Sequence, residues 1–150
     1  MLAITAAGLS FLLQVTPSPR PSQTVFIPTS VALQVAQTVA RNNGLDISSK
    51  VYYIDLEITK DGSPAIPGYI TFGVYGNSNP LLRISINEDT GQIVDSVRCL
   101  IFEYPDLKMF QEELRRGTGA RPLLRDELAR SIGCDSLQVL SKPARRRQRH

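Results

Sequence analysis

A chain of 150 residues, 42% hydrophobic and 21% charged, has the composition of one globular domain large enough to bury a core. Five Phe, five Tyr and no Trp leave little material for an aromatic cage or an extended stacking platform. The formal charge of +3 comes from the ends: between Val25 and Ser141 eleven basic side chains face fourteen acidic ones, a net of −3, so the body is mildly acidic.

Residues 1–15, MLAITAAGLSFLLQV, carry no charged side chain. That length suits the apolar core of a secretory signal and falls short of the roughly 20 apolar residues that a spanning helix needs. No Lys or Arg precedes the run and no A-x-A cleavage site follows it, so an uncleaved anchor, a true start upstream of Met1 and a core helix stay open beside a signal. The expected location is periplasmic or secreted. Residues 16–24, TPSPRPSQT, hold three prolines and no apolar side chain and read as an extended linker, with a single folded domain expected over 25–141.

The first helix is predicted after Thr29 or Ser30 as N-cap. Val31, Val35 and Val39 run beside Ala32, Ala36 and Ala40 at i, i+4 spacing, and Gly44 after Asn43 marks the stop. VYYIDLEIT then alternates, with Tyr52, Ile54, Leu56 and Ile58 on one face. YITFGVY sets Ile70, Phe72 and Val74 on a common face, LLRISIN repeats this with Leu82, Ile84 and Ile86, and QIVDSV makes a fourth short strand. A helix covering an antiparallel meander of three to four strands is an α+β layer.

Between the third and fourth strands lies Asp89-Thr90-Gly91. A tight corner needs a residue that tolerates positive φ and an Asp or Asn that hydrogen-bonds the turn backbone, and this triplet supplies both. A catalytic carboxylate would want a second one across a cleft, and a calcium loop several oxygen ligands at alternate positions. Glu88 and Asp89 alone supply neither, so the triplet reads as a hairpin corner.

The order helix, three strands and then INEDTGQIVD resembles the PepSY-like domains of exported bacterial proteins, in which a strand ends in a similar aspartate-containing Thr-Gly hairpin. The resemblance covers residues 28–95 and rests on Thr90-Gly91, with Asp89 before and Ile93-Val94 after. It implies a small non-catalytic module, of a kind proposed to restrain peptidases, and transfers no residue role. The chain departs from that pattern by continuing for more than fifty residues.

The continuation, 104–134, reads as a helical extension. Asp106 is a candidate cap for a helix with Leu107, Phe110 and Leu114 on one face and Gly117 as stop. Pro122 opens a second, with Leu124, Leu128 and Ile132 in register and Gly133 beyond. Cys99 and Cys134 flank this extension. A bond between them closes a loop of roughly 35 residues and, in an oxidising compartment, stabilises by about 3 to 4 kcal/mol; two buried free thiols are the alternative.

No catalytic or metal constellation is legible, and no cofactor is expected. The one histidine is His150 at the extreme C-terminus, G-x-S-x-G and the phosphate-loop and dinucleotide glycine patterns are absent, and C-x-x-C does not occur. Glu112-Glu113 and Asp126-Glu127 are adjacent on helices and point apart. Tyr53, Tyr69 and Tyr75 fall opposite the helix-facing set, where they either pack across strands or form an exposed binding surface. Residues 142–150 carry Arg145, Arg146, Arg147 and Arg149, a solvated tail able to meet anionic surfaces. These features predict an exported binding or inhibitory module for an as yet unidentified protein partner in the envelope, with no specific nucleic acid expected. The alternative is an intracellular nucleic-acid-associated protein using the last helix and the Arg tail, which wants a basic stripe beside a reading helix.

Overall fold

The computed structural model describes residues 27–77 and 79–142. The signal-like segment, the linker and the arginines of the tail lie outside the described residues. The fold is α+β: one sheet in the order β1-β2-β3-β4-β5-β6, with α1 and the first part of a helical crossover on one face and the last crossover helix on the other.

Helix α1 spans Thr29–Asn42, and Pro28, not Thr29 or Ser30, holds the N-cap position, with its carbonyl accepting from Val31 and Ala32. Ala32, Val35, Ala36, Val39 and Ala40 are buried, and three alanines in that stripe let the helix axis come close to the sheet. Gly44, at φ +78, turns the chain out of the helix, and Leu45 returns its N–H to the Ala40 carbonyl.

Strands β1 (Tyr53–Leu56), β2 (Tyr69–Tyr75), β3 (Pro80–Asn87) and β4 (Ile93–Asp95) form the antiparallel meander. Period-2 alternation turns Phe72, Val74, Leu82, Ile84 and Ile86 toward α1, where all are buried in one core. Strand β1 is shorter than its alternating sequence suggests. Among the described residues nothing pairs beyond it, and Leu56 and Ile58 stay exposed instead of joining that core.

The sheet has six strands, two more than the alternation predicts. Strand β5 (Leu100–Glu103) pairs antiparallel with β4, and β6 (Gln138–Ser141) pairs parallel with β5. Between them run a short 3-10 turn over Pro105–Leu107, α2 (Lys108–Thr118) and α3 (Arg125–Ser131). A parallel pair needs such a crossover, and the helical extension is that connection. Asp106 sits inside the 3-10 turn and takes a hydrogen bond from Asn42, so it ties the crossover to α1 instead of capping α2. Helix α2 ends at Gly119 (φ +70), two residues after Gly117. Helix α3 begins at Arg125, leaving Leu124 exposed, while Leu128 and Ile132 are buried.

Helix α3 covers a second core on the face away from α1, made of Tyr69, Val94, Leu128, Ala129, Ile132 and Leu137. Cys99 and Cys134 are bonded with Cα atoms 5.8 Å apart, and the Gln138 N–H donates to the Cys99 carbonyl at 3.0 Å. One covalent link and one backbone bond thus bring the start of β6 beside the start of β5.

Candidate functional site

Among the described residues helix α3 covers only part of its face, and at the β1 margin the face is exposed. Tyr53 and Tyr75 are direct cross-strand partners there, with ring centroids 5.2 Å apart and planes 15° from parallel. Tyr53 is 55% exposed, so the stack presents aromatic surface to solvent. Stacking on its neighbour holds that surface in place.

The stack is anchored from below. The Tyr75 hydroxyl donates to Glu57 Oε1 at 2.9 Å, and Glu57 Oε2 lies 2.5 Å from Arg83 Nε. The Glu57 side chain is only 13% exposed; its carboxylate accepts from the phenol and pairs by charge with the guanidinium, whose Nε is buried without an aligned hydrogen bond among the described residues. Burial, then the hydrogen bond to Glu57 and its charge, pushes the Tyr75 hydroxyl above its ordinary value, which keeps it a neutral donor. Gly73 makes the arrangement sterically feasible: a Cβ there would stand 2.5 Å from the Tyr75 ring and 2.6 Å from Glu57 Oε1. The missing side chain is what lets the phenol cross β2 to reach the carboxylate.

The three tyrosines assigned to one surface therefore separate. Tyr53 and Tyr75 form the open pair, whereas Tyr69 is 2% exposed beneath α3, its hydroxyl 2.7 Å from Ser131 Oγ. Alternation places all three on one side of the sheet, but it is blind to a helix arriving from sixty residues downstream. Glu57, Gly73 and Arg83 were not singled out from sequence. The signal for Gly73 was a glycine inside a strand, and for Glu57 and Arg83 it was opposite charges on the same face of a three-strand meander.

Exposed apolar side chains crowd the same margin of the sheet, where Val51, Leu56 and Ile58 lie on or beside β1. The outward edge of β1 is partly closed, because Asp55 Oδ1 accepts the Leu56 N–H at 2.9 Å. That side chain occupies a donor that an added strand would need.

Asp89-Thr90-Gly91 is the β3–β4 corner. Asn87 Oδ1, not Asp89, accepts the turn donors: the N–H groups of Asp89 and Thr90 and the Thr90 hydroxyl. The Asp89 side chain is exposed, and its carbonyl accepts from Thr118 Oγ1 at 2.7 Å. Gly91 has φ +67, and a Cβ would meet the Gln111 Cα at 3.2 Å, so both conformation and the approach of α2 require glycine. Two of the helix carboxylates also have structural partners: Glu112 pairs with Lys108, and Glu127 accepts the Leu124 N–H and pairs with Arg121. No cluster of three metal-ligating side chains occurs among the described residues, and no helix among them is long and apolar enough to cross a membrane.

No protein-family model matches the chain, and no curated protein matches it. A chain in the solved structure of a type VI secretion system effector-immunity complex from Pseudomonas protegens is similar at TM-score 0.62 and 20% identity, over 73% of this chain and 91% of that one. At that identity the likeness is one of fold.

Proposed function

We propose that this protein is an exported, non-catalytic binding or inhibitory module, PepSY-like over 28–95, that engages a protein partner in the cell envelope through the Tyr53–Tyr75 face. The observation that carries the reading is the exposed tyrosine stack anchored by Glu57 and Arg83. Tyr and Arg are the residue types that dominate protein interfaces, and a stack already held in place loses little side-chain freedom on docking. The fold shared with a chain of an effector-immunity complex supports a role in binding protein. The Cys99–Cys134 bond fits an oxidising compartment. The face is the contact in this reading, not the β1 edge, because Asp55 occupies the Leu56 donor.

A photo-crosslinking amino acid at position 53, introduced in the native cell, should trap one envelope protein. With that partner purified, Tyr53→Ala and Arg83→Ala should each weaken binding about ten-fold or more by calorimetry, the loss expected of an interface anchor. Unchanged affinity in both variants, or recovery of the protein in the cytoplasm with both cysteines reduced, would overturn the proposal.

A further inference from the structure

The tyrosine face carries charge as well as aromatic surface. Register puts Asp55, Gly73 and Arg83 in one row across β1, β2 and β3, and Tyr53 and Tyr75 in the next row on the same side. Arg83 is the one cation of these rows, and Glu57 Oε2 lies 2.5 Å from its Nε, so those two charges cancel within the face. Asp55 is left over. Its side chain is exposed and makes no ion pair among the described residues. Oδ1 accepts the Leu56 N–H, and Oδ2 takes no hydrogen bond among the described residues. The charge beside the stack is therefore negative.

The ring of Tyr53 has the same sign. An aromatic face presents the negative lobe of its quadrupole, and Tyr53 spends one of its two faces on Tyr75. Its strand is the edge of the sheet, where among the described residues no further strand lies against the other face. That outer face is open to solvent.

Ring and carboxylate together select the group that meets them. A cation laid on the outer face of Tyr53 gains from the ring and from the unspent Asp55 oxygen at once. Purely apolar surface would cover Asp55 and strip it of water without a partner. A carboxylate would meet Asp55 and Glu57 as like charges. Among cations, the planar guanidinium is the one that stacks on a ring while its edge donors stay free for a carboxylate.

We infer that the protein partner presents a basic segment to this face, with an arginine side chain on the outer face of Tyr53 and its charge beside Asp55. The inference rests on the protein-binding reading and names the chemistry of that contact.

The test uses the purified, oxidised protein and three blocked pentapeptides: Gly-Arg-Gly-Arg-Gly, the same peptide with citrulline for arginine, and the same with glutamate. Each is titrated at low salt and read by amide chemical shifts. The arginine peptide should give saturable shifts centred on residues 53–57 and 73–75, fading as salt is raised. Citrulline keeps the planar shape and loses the charge, so its peptide should bind about two- to five-fold more weakly or worse, and the glutamate peptide should leave those amides unmoved. Asp55→Asn keeps an acceptor for the Leu56 N–H and removes the charge; Tyr53→Leu keeps apolar surface and removes the ring. Each should weaken the arginine peptide about two- to five-fold, with the shifts of β2 and β3 showing a native sheet, whereas Tyr53→Phe should bind as the native chain does. Equal binding of the citrulline peptide, unchanged affinity in either Asp55→Asn or Tyr53→Leu, or no saturable shifts at 53–57 would overturn the inference. So would shifts of the same amides on concentrating the free protein, which would give the face to a second copy. No cellular partner enters the titration, so its failure leaves the protein-binding reading to stand or fall on the crosslink at position 53.

Discussion

On the face turned to α1, Phe72, Val74, Leu82, Ile84 and Ile86 are buried by a helix close in sequence to the strands it covers. On the opposite face Tyr69 and Val94 are buried by α3, which arrives through a crossover and ends beside a disulfide. At β2 and β3 the first core needs one helix and one alternation, although Ile93, Phe102, Leu107 and Leu114 extend it toward α2. The second needs β5, β6 and the covalent bond to bring α3 into place, and it covers less of the sheet. What α3 leaves bare is where the Tyr53–Tyr75 stack stands, so the layer assembled from distant segments is also the one that leaves a surface for a partner. A fully covered sheet would have no such surface.

The largest loss is expected in the first core. Ile84 is fully buried in the centre of the sheet, and Ile84→Ala removes its packing and leaves a cavity. The expected cost is about 2 to 5 kcal/mol in urea denaturation, which would unfold both layers together because β3 is central to both. Loss of the α3 layer alone, with α1 still protected in hydrogen exchange, would show the two cores to be less coupled than one sheet implies.

Cutting the disulfide addresses the second layer. Cys134→Ser opens a loop of 35 residues, worth about 3 to 4 kcal/mol on the chain-entropy account. The damage should be uneven: amides of α3 and β6 should exchange faster, while those of β2 and β3 keep most of their protection. Uniform loss across the sheet would mean that the bond stabilises the whole domain rather than the crossover.

Which parts of this molecule sequence could reveal follows from the same contrast. Ile70, Phe72, Val74 and Leu82, Ile84, Ile86 announce their face because alternation is local and α1 lies nearby. Cys99 and Cys134, the one pair available, could bond only with each other within the chain, whatever the fold between them. Strands β5 and β6 escaped notice because four residues each is too short a run for periodicity, and their parallel pairing joins segments about forty residues apart. Alternation leaves packing and exposure both open for Tyr69 for the same reason, since nothing near it in sequence says that Ser131 will lie against it. Asp89 was credited with the work of Asn87, two residues earlier, because either residue type caps a turn and spacing alone does not choose between them.

At the β3–β4 corner α2 meets the first layer, with Gly91 against Gln111 and Leu114. Gly91→Val forces a β-branched residue into positive φ and against the Gln111 backbone, at a cost of more than about 1 kcal/mol. Asn87→Ala should cost about 1 to 2 kcal/mol, since it strips the acceptor from two backbone N–H groups and a hydroxyl. Asp89→Asn should be nearly silent in thermal denaturation, its side chain being exposed. A marked loss in Asp89→Asn, with Asn87→Ala silent, would reverse the assignment of the turn.

The smallest effect lies on the open part of the second face. Tyr75→Phe keeps the stack on Tyr53 and removes only the bond to Glu57, so at neutral pH it should cost about 1 kcal/mol or less. Alkaline pH separates that bond from the packing. Burial first, and the Glu57 bond and charge after it, hold the Tyr75 hydroxyl above its ordinary 10.0. Above about pH 10 the unfolded chain releases the phenol proton while the folded protein still holds it. The folded state then binds more protons, and stability falls as pH rises through the folded value; below about pH 10 the contribution is complete. Tyr75→Phe should remove that part of the fall, so its stability should decline less steeply than the native protein's. Tyr104, whose hydroxyl is also pushed up chiefly by burial, keeps some decline in both. Urea midpoints measured from about pH 8 to 11 test this. Parallel curves would mean that Tyr75 loses its proton as easily folded as unfolded, leaving no anchored phenol under the exposed Tyr53.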